Sequence, residues 1–331
     1  MYFYKKFIQL FFLTPLIIVS IIVLYVLFFY AKPQTLLLMK LYYEQKELYA
    51  KSIHTNKIVI TSGSNALYGL NTIDIEKALH VPVVNFAVNA GLNNNYIFTK
   101  TQEILRPGDI VIVPDEYQHI IWDGELSKSK NQYILAYDRK YFNALPFLEQ
   151  LKIINTISLK DIYDSIIEQS RFTKESINKG KRKTLKSLNK NGDKIDKNGY
   201  FPKKIAHTNS PFPLKSKFHF PTKGLKEIVK FNTWCQEHHI YLYMTFPNTV
   251  KLKEYNEKKY INFFQQLTKF YKDNHIQFLG YPTDFFYPEK YFHDTNYHLN
   301  TVGAKIRTKK FIQLLKNKIP YLINLLKTKN Y

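Results

Sequence analysis

Residues Phe7 to Tyr30 form an almost unbroken apolar run, and this run constrains the 331-residue chain more than any other feature. Read as a helix, it spans about 36 Å at roughly 1.5 Å per residue, enough to cross a hydrocarbon core of about 30 Å. A helix is the form it must take in lipid, because no water is there to satisfy its backbone polar groups. Lys5 and Lys6 precede the run, so the positive-inside bias keeps that end cytoplasmic. A cleaved signal peptide would carry a shorter apolar core and a small-residue cleavage site, and no Ala-x-Ala follows Tyr30. The expectation is a single-pass protein of the cytoplasmic membrane. Residues 1–30 are its anchor, 31–56 a juxtamembrane helix and 57–331 an extracytoplasmic domain.

Beyond the anchor, strand-like and helix-like patterns alternate. Gln34 to Ser52 reads as a polar helix. Lys57 to Thr61, Val81 to Phe86 and Asp109 to Pro114 read as strands, the last a continuous apolar run of the kind buried on both faces of a parallel sheet. Helical periods lie between them at Asp74 to Leu79 and Asn93 to Leu105. Later come a helix at Gly224 to His238, a strand at Ile240 to Phe246, a helix at Glu254 to Asp273 and a strand at Ile276 to Leu279. A final helical stretch, Thr301 to Leu326, is interrupted at Pro320. Strands spaced by helices predict an α/β fold with a doubly wound parallel sheet. Residues 120–222 break the rhythm, being Lys-rich and irregular, and read as an insertion on the sheet scaffold.

Charge and cysteine usage narrow the partners. The formal net charge is +22, and from Lys174 to Lys217 only Glu175, Asp193 and Asp196 offset many Lys and Arg. Such a stretch suits an anionic partner, such as a phospholipid surface or an acidic envelope polymer, with Lys181, Arg182 and Lys183 as candidate contacts; a solvated loop explains it equally well. A domain outside the cytoplasm with no nucleic-acid-binding motif argues against nucleic acid. The lone Cys235 excludes an intrachain disulfide and reads as a buried small hydrophobe.

Two short motifs carry the chemistry. Ile58-Val59-Ile60 breaks into Thr61-Ser62-Gly63-Ser64-Asn65, which sets Ser64 on a strand-to-helix turn. Far downstream stands His293-Asp294-Thr295-Asn296-Tyr297-His298-Leu299-Asn300, followed by Gly303. In open α/β sheets ligands collect at the carboxyl ends of strands, where Ser64 falls. Activated-serine chemistry needs a serine, a base and a group that orients the base, here Ser64, His298 and Asp294. The loop Asn89 to Asn95 follows the second strand and offers a glycine amide at Gly91 with several side-chain amides for an oxyanion. Asp115-Glu116-Tyr117 stands at the same sheet end after the third strand. His293 is an alternative base. A metal site from His293, Asp294 and His298, or from His238 and His239, has too few ligands for the usual zinc geometries, so neither metal nor cofactor is expected.

These motifs resemble those of the SGNH hydrolase superfamily. More narrowly, the chain looks like the membrane-anchored extracytoplasmic branch that serves alginate and peptidoglycan O-acetylation and teichoic-acid D-alanylation. The resemblance covers roughly residues 57–119 and 224–316. It implies a flavodoxin-like three-layer α/β/α sandwich, with Ser64 as nucleophile and an oxyanion donor in its own amide. It implies Gly91 as a second donor and an asparagine as a third, for which Asn89, Asn93 and Asn94 are candidates, with Asn93 carried forward. Asp294 and His298 would complete the triad. Three features depart from the pattern: Ser62-Gly63-Ser64 replaces Gly-Asp-Ser, Asp294 lies four rather than three residues before His298, and Pro114-Asp115-Glu116 replaces a Gly-x-Asn-Asp block. The implied function is a cell-envelope serine acyltransferase or esterase acting on a polysaccharide or other envelope polymer, with a membrane-bound protein as acyl donor. The alternative is a catalytically degenerate scaffold or polymer-binding subunit of an envelope assembly.

Overall fold

A computed structural model of the chain describes residues 2–195, 210–214 and 219–328. They group into two compact units, one of Met1–Lys40 with Leu126–Gly180 and one of Leu41–Glu125 with Lys181–Tyr331. Helix α1 (Tyr2–Phe29) exposes its apolar side chains from Phe3 through Ile21, and it lies in a helical stretch long and apolar enough to span a membrane. Helix α2 (Gln34–Ser52) follows after a short break.

The second unit holds a five-stranded, all-parallel sheet. Strand β1 (Ile58–Ile60) leads into α3 (Ser64–Gly69) and α4 (Thr72–Leu79), the latter capped by the Asn71 side chain. Then come β2 (Val83–Asn85), α5 (Asn93–Gln102), β3 (Ile110–Pro114) and the single turn α6 (Tyr117–Ile120). Every residue of β1, β2 and β3 is buried, as expected for β-branched runs inside a parallel sheet. At the amino ends of β1 and β3, the Lys57 ammonium pairs with Asp109 at 2.7 Å and both side chains are fully buried. Asp109 also accepts from the Lys57 and Arg106 amides, so this carboxylate fixes the two strands in register.

The expected irregular insertion is largely helical. It contains α7 (Lys128–Tyr137), α8 (Arg139–Ala144), α9 (Phe147–Asn155), α10 (Leu159–Arg171) and α11 (Lys174–Leu185). The helices are short, and α7, α8 and α10 begin at side-chain caps from Ser127, Asp138 and Ser158. Ser158, for example, accepts from the Asp161 amide while Asp161 accepts from the Ser158 amide, a capping box that composition alone does not reveal. Residues 126–180 cluster with the N-terminal forty residues. Residues 196–209 and 215–218, with Asp196 and Lys217 of the basic stretch, lie outside the described residues.

The sheet unit resumes with α12 (Lys223–Glu237), β4 (Tyr241–Thr245), β5 (Thr249–Val250), α13 (Lys258–Asp273), β6 (Phe278–Leu279), β7 (Phe286–Tyr287), α14 (Thr301–Lys318) and α15 (Pro320–Thr328). Strand order in the main sheet is β2-β1-β3-β4-β6, while β5 and β7 form a small parallel pair of their own that the hydrophobic pattern does not announce. The order reverses direction at β1, so the crevice beyond the carboxyl ends of β1, β2 and β3 is the switch point where such sheets bind ligands. Helix α14 packs on α3 and α4, and α12 packs on α5 and α6. Cys235 is buried on α12.

Candidate active site

Ser64 is the first residue of α3, four residues past the end of β1. Its turn is tight because Gly63 has no side chain. A Cβ there would fall 2.8 Å from Ala90 Cα and 2.6 Å from Glu116 Oε1. Any larger residue would drive the Asn89–Asn95 loop away from the serine.

His298 Nε2 lies 2.8 Å from Ser64 Oγ, and His298 Nδ1 lies 2.8 Å from Asp294 Oδ1. The four-residue spacing of Asp294 and His298 closes because Thr295 Oγ1 accepts from the Tyr297 and His298 amides, which curls the loop back on itself. The His298 ring stacks on Tyr68 at 4.3 Å between centroids, and the His293 amide donates to the His298 carbonyl. Asn300 caps α14 by accepting from the Gly303 amide, and Gly303 permits close passage because a Cβ would lie 2.4 Å from the Tyr291 carbonyl. The Asp294 carboxyl is held below the usual carboxylate range, chiefly by its hydrogen bond to His298, with burial opposing. His293 Nε2 is 3.9 Å from Asp294 Oδ2. His238 stacks on Trp234 at the end of α12, and its Nδ1 donates to the Trp234 carbonyl at 2.8 Å.

Behind the serine runs a buried network. Glu116 Oε1 accepts from the Asn65 amide at 2.9 Å, and the Asn65 side chain donates to the Pro114 carbonyl. Arg307, completely buried on α14, donates to the Asn65 carbonyl at 3.1 Å and to Asn248 Oδ1. Asn248 in turn donates to the Tyr297 carbonyl at 2.6 Å. One guanidinium therefore ties the serine helix to the peptide that precedes the histidine. Burial lowers the Arg307 pKa to about 10, with Tyr287 and Glu116 opposing, and it stays charged at neutral pH. Gly69 leaves the room it needs, since a Cβ there would fall 2.3 Å from Arg307 Nη1.

The Asn89–Asn95 loop is held by a second Asp–His pair. His119 Nδ1 lies 2.8 Å from Asp115 Oδ1, and His119 Nε2 lies 2.7 Å from the Ala90 carbonyl. Asp115 Oδ2 accepts from Asn94 Nδ2 at 2.6 Å, so the pair grips both ends of the Ala90–Asn94 turn. Burial alone would lower the His119 pKa. The Asp115 bond and charge, Glu116 and the Ala90 carbonyl outweigh it and raise the pKa to about 9. Within the turn, the Gly91 amide donates to Asn89 Oδ1 at 2.7 Å. Asn93 adopts positive φ (58°), and its buried Nδ2 has no hydrogen-bond partner among the described residues.

The structure thus brings Ser64, His298 and Asp294 into one chain of hydrogen bonds and sets Ala90 of the Asn89–Asn95 loop against the Gly63 turn. Lys181, Arg182 and Lys183 stand elsewhere, on α11, with Arg182 and Lys183 exposed. Asn65 and Glu116 stand in the quoted motifs without a role, and His119, Asn248 and Arg307 escape sequence reasoning as site residues. Only the Asp-x-x-x-His spacing of Asp115 and His119, a repeat of that in Asp294 and His298, offered a signal. Among the described residues no group of three or more His, Cys, Asp or Glu is placed to hold a metal ion.

No family model matches the chain, and no curated protein matches it. Among solved structures it is similar to one described as "a putative platelet activating factor from Streptococcus pneumonia", at 12% identity and a TM-score of 0.37 over 86% of this chain and 91% of that one.

Proposed function

We propose that the chain is a membrane-anchored serine esterase or acyltransferase of the SGNH type. One observation carries this reading: three residues separated by up to 234 positions meet in the order serine, histidine, carboxylate with both contacts at 2.8 Å. A loop satisfying only its own backbone has no reason to aim His298 Nε2 at a serine from another element. The separate packing groups of α14 with α3 and α4, and of α12 with α5 and α6, support a three-layer sandwich with the sheet between them.

In this mechanism Ser64 Oγ attacks the carbonyl carbon of an ester. His298 Nε2 takes the serine proton and delivers it to the departing alcohol, leaving an acyl-serine. Asp294, kept ionised by His298, holds the Nδ1 proton and stabilises the imidazolium that forms. Water or a sugar hydroxyl then attacks the acyl-serine, gives its proton to His298 and restores Ser64. The Ser64 amide and the unpartnered Asn93 Nδ2 are the donors for the oxyanion. The Gly91 amide joins them once released by Asn89. α1 would anchor the domain in the cytoplasmic membrane with its site facing outward. An envelope polymer would be the acyl acceptor, a membrane-bound protein the donor, and Lys181, Arg182 and Lys183 contacts for an anionic chain.

A second reading, a degenerate scaffold, is favoured by the occupied Gly91 amide. Turnover of p-nitrophenyl acetate by the full chain in nanodiscs decides between them. Ser64→Ala and His298→Ala should each remove nearly all turnover, the double variant little more, because such residues act as a unit. Asn93→Ala should lower kcat by about 10²–10³. Equal turnover by the unsubstituted chain and Ser64→Ala assigns the protein to the scaffold reading.

A further inference from the structure

The first unit carries apolar surface that α1 does not account for. On α9, Phe147, Leu148 and Leu151 are exposed at 69%, 69% and 41%. On α10, Leu159, Tyr163 and Ile166 are exposed at 66%, 64% and 43%. Their spacings, i, i+1, i+4 and i, i+4, i+7, put each trio on one side of its helix. The opposite sides are packed, with Ile153 of α9 and Asp161 and Ser165 of α10 buried. Each helix therefore presents an apolar stripe to the outside, beside exposed charged side chains such as Lys152 and Lys160.

Their position along α1 is fixed by bonds. Counted from Phe7, about 20 residues cross the hydrocarbon core, which ends the crossing near Val26. Burial on α1 first appears there: Val26 is only 1% exposed, while Leu24, Phe28 and Phe29 stay exposed at 51%, 70% and 72%. Arg139, at the start of α8, donates to the carbonyls of Leu27 at 2.7 Å and Val26 at 2.9 Å. Tyr137 donates to the Pro33 carbonyl, Gln169 accepts from the Lys32 amide, and Glu168 accepts from the Thr35 amide. α9 packs on α1 itself, and an apolar groove of about 460 Å³ runs beside Tyr25, Phe29, Ala31 and Ile166.

We propose that α9 and α10 form a membrane seat: their exposed apolar sides lie in the headgroup–acyl boundary of the bilayer that α1 crosses. The inference rests on the anchoring reading of α1 but not on the chemistry at Ser64. The occupant is lipid because the surface is continuous with α1 at the depth where the span ends. Residues 138–171 carry five basic and five acidic side chains, so apolar insertion drives the seating and a zwitterionic bilayer suffices. Such helices sit about 5–10 Å into the boundary, within reach of shallow-brominated acyl chains.

The test uses the full chain in phosphatidylcholine vesicles, with Leu16→Trp, Leu148→Trp and Tyr163→Trp made singly and emission from Trp122 and Trp234 subtracted using the unsubstituted chain. Leu16→Trp reports on the anchor and should be quenched by deep-brominated lipid. Leu148→Trp and Tyr163→Trp should lose most of their added emission to shallow-brominated lipid and little to aqueous iodide. Quenching at both positions by iodide instead would place them in water and overturn the seat. Shelter from both quenchers would mean a protein cover, a second copy or another subunit, and would overturn it equally. Quenching at Leu16→Trp in either case preserves the anchor, and ester turnover measured on the same samples tests Ser64 separately.

Discussion

The sheet unit contains two Asp–His pairs of identical spacing and identical 2.8 Å contact, and only their surroundings differ. Asp294 is 45% exposed and His298 14%, whereas Asp115 and His119 are 0% and 2% exposed. The far ring nitrogen of His298 meets a serine hydroxyl, while that of His119 meets a backbone carbonyl. A hydroxyl has a proton to give, so His298 can act as a base. A carbonyl has none, so His119 must donate at both nitrogens and serves as a buried cation that clamps a loop. The same pair of residues is placed to carry a proton in one position and to bolt a loop in the other. The third partner makes the difference.

Three substitutions sharpen or break this comparison. The largest effect is expected for Asp294→Asn, which should lower kcat/KM for p-nitrophenyl acetate by on the order of 10⁴, the loss that follows when a triad aspartate becomes an amide and the wrong histidine tautomer is favoured. Its melting temperature should barely move, because Asp294 is half exposed. A melting temperature that collapses along with activity would make Asp294 a bolt as well.

His119→Gln should show the reverse pattern, a loss of stability that depends on pH. The folded pKa of His119, about 9, lies above its ordinary value of 6.5. Its charge therefore contributes stability fully below pH 6.5 and loses that contribution as pH rises through 9. The cost of His119→Gln in urea unfolding should be greater at pH 6 than at pH 10 by on the order of 3 kcal/mol. Burial lowers the Lys46 pKa to about 7, with Asp193 opposing, and its titration runs the other way. Both chains carry Lys46, so it cancels in the difference. A cost independent of pH would mean that His119 is neutral.

The smallest effect belongs to the region outside the comparison. Replacing Lys181, Arg182 and Lys183 together by Gln should change stability by no more than about 0.5 kcal/mol per site and leave ester turnover intact, since surface charges away from special contacts matter little. Binding to an anionic polymer at low salt should weaken. Binding that persists would remove these three residues from the substrate contacts.

Local chemistry made much of this protein legible. The run from Phe7 to Tyr30 announces a helix long enough for a membrane because apolar length is a property of consecutive residues. Ile58-Val59-Ile60 and Ile110-Val111-Ile112-Val113 announce buried parallel strands for the same reason, and the turn at Gly63-Ser64 follows from where the first of them stops. The helices between Lys128 and Leu185 stayed hidden because they are short, and their caps, such as Ser158 with Asp161, say more than their composition.

Arg307 shows the limit most plainly. In sequence it is one cation among Lys305, Lys309 and Lys310 on a final helix, and nothing in its neighbours marks it as buried. Only the packing of α14 against α3 brings it to Asn65 and Asn248 and so to the segments that carry Ser64 and His298. Asp115 and His119 were visible as a spacing, yet whether a spacing makes a base or a bolt depends on which atom lies beyond the ring. Sequence determined the elements and the residue types available for chemistry, because hydrophobic period, turn residues and helix caps act over a few positions. Tertiary structure alone decided which histidine faces the serine, because that contact joins elements 234 residues apart, and packing, not sequence separation, sets their distance.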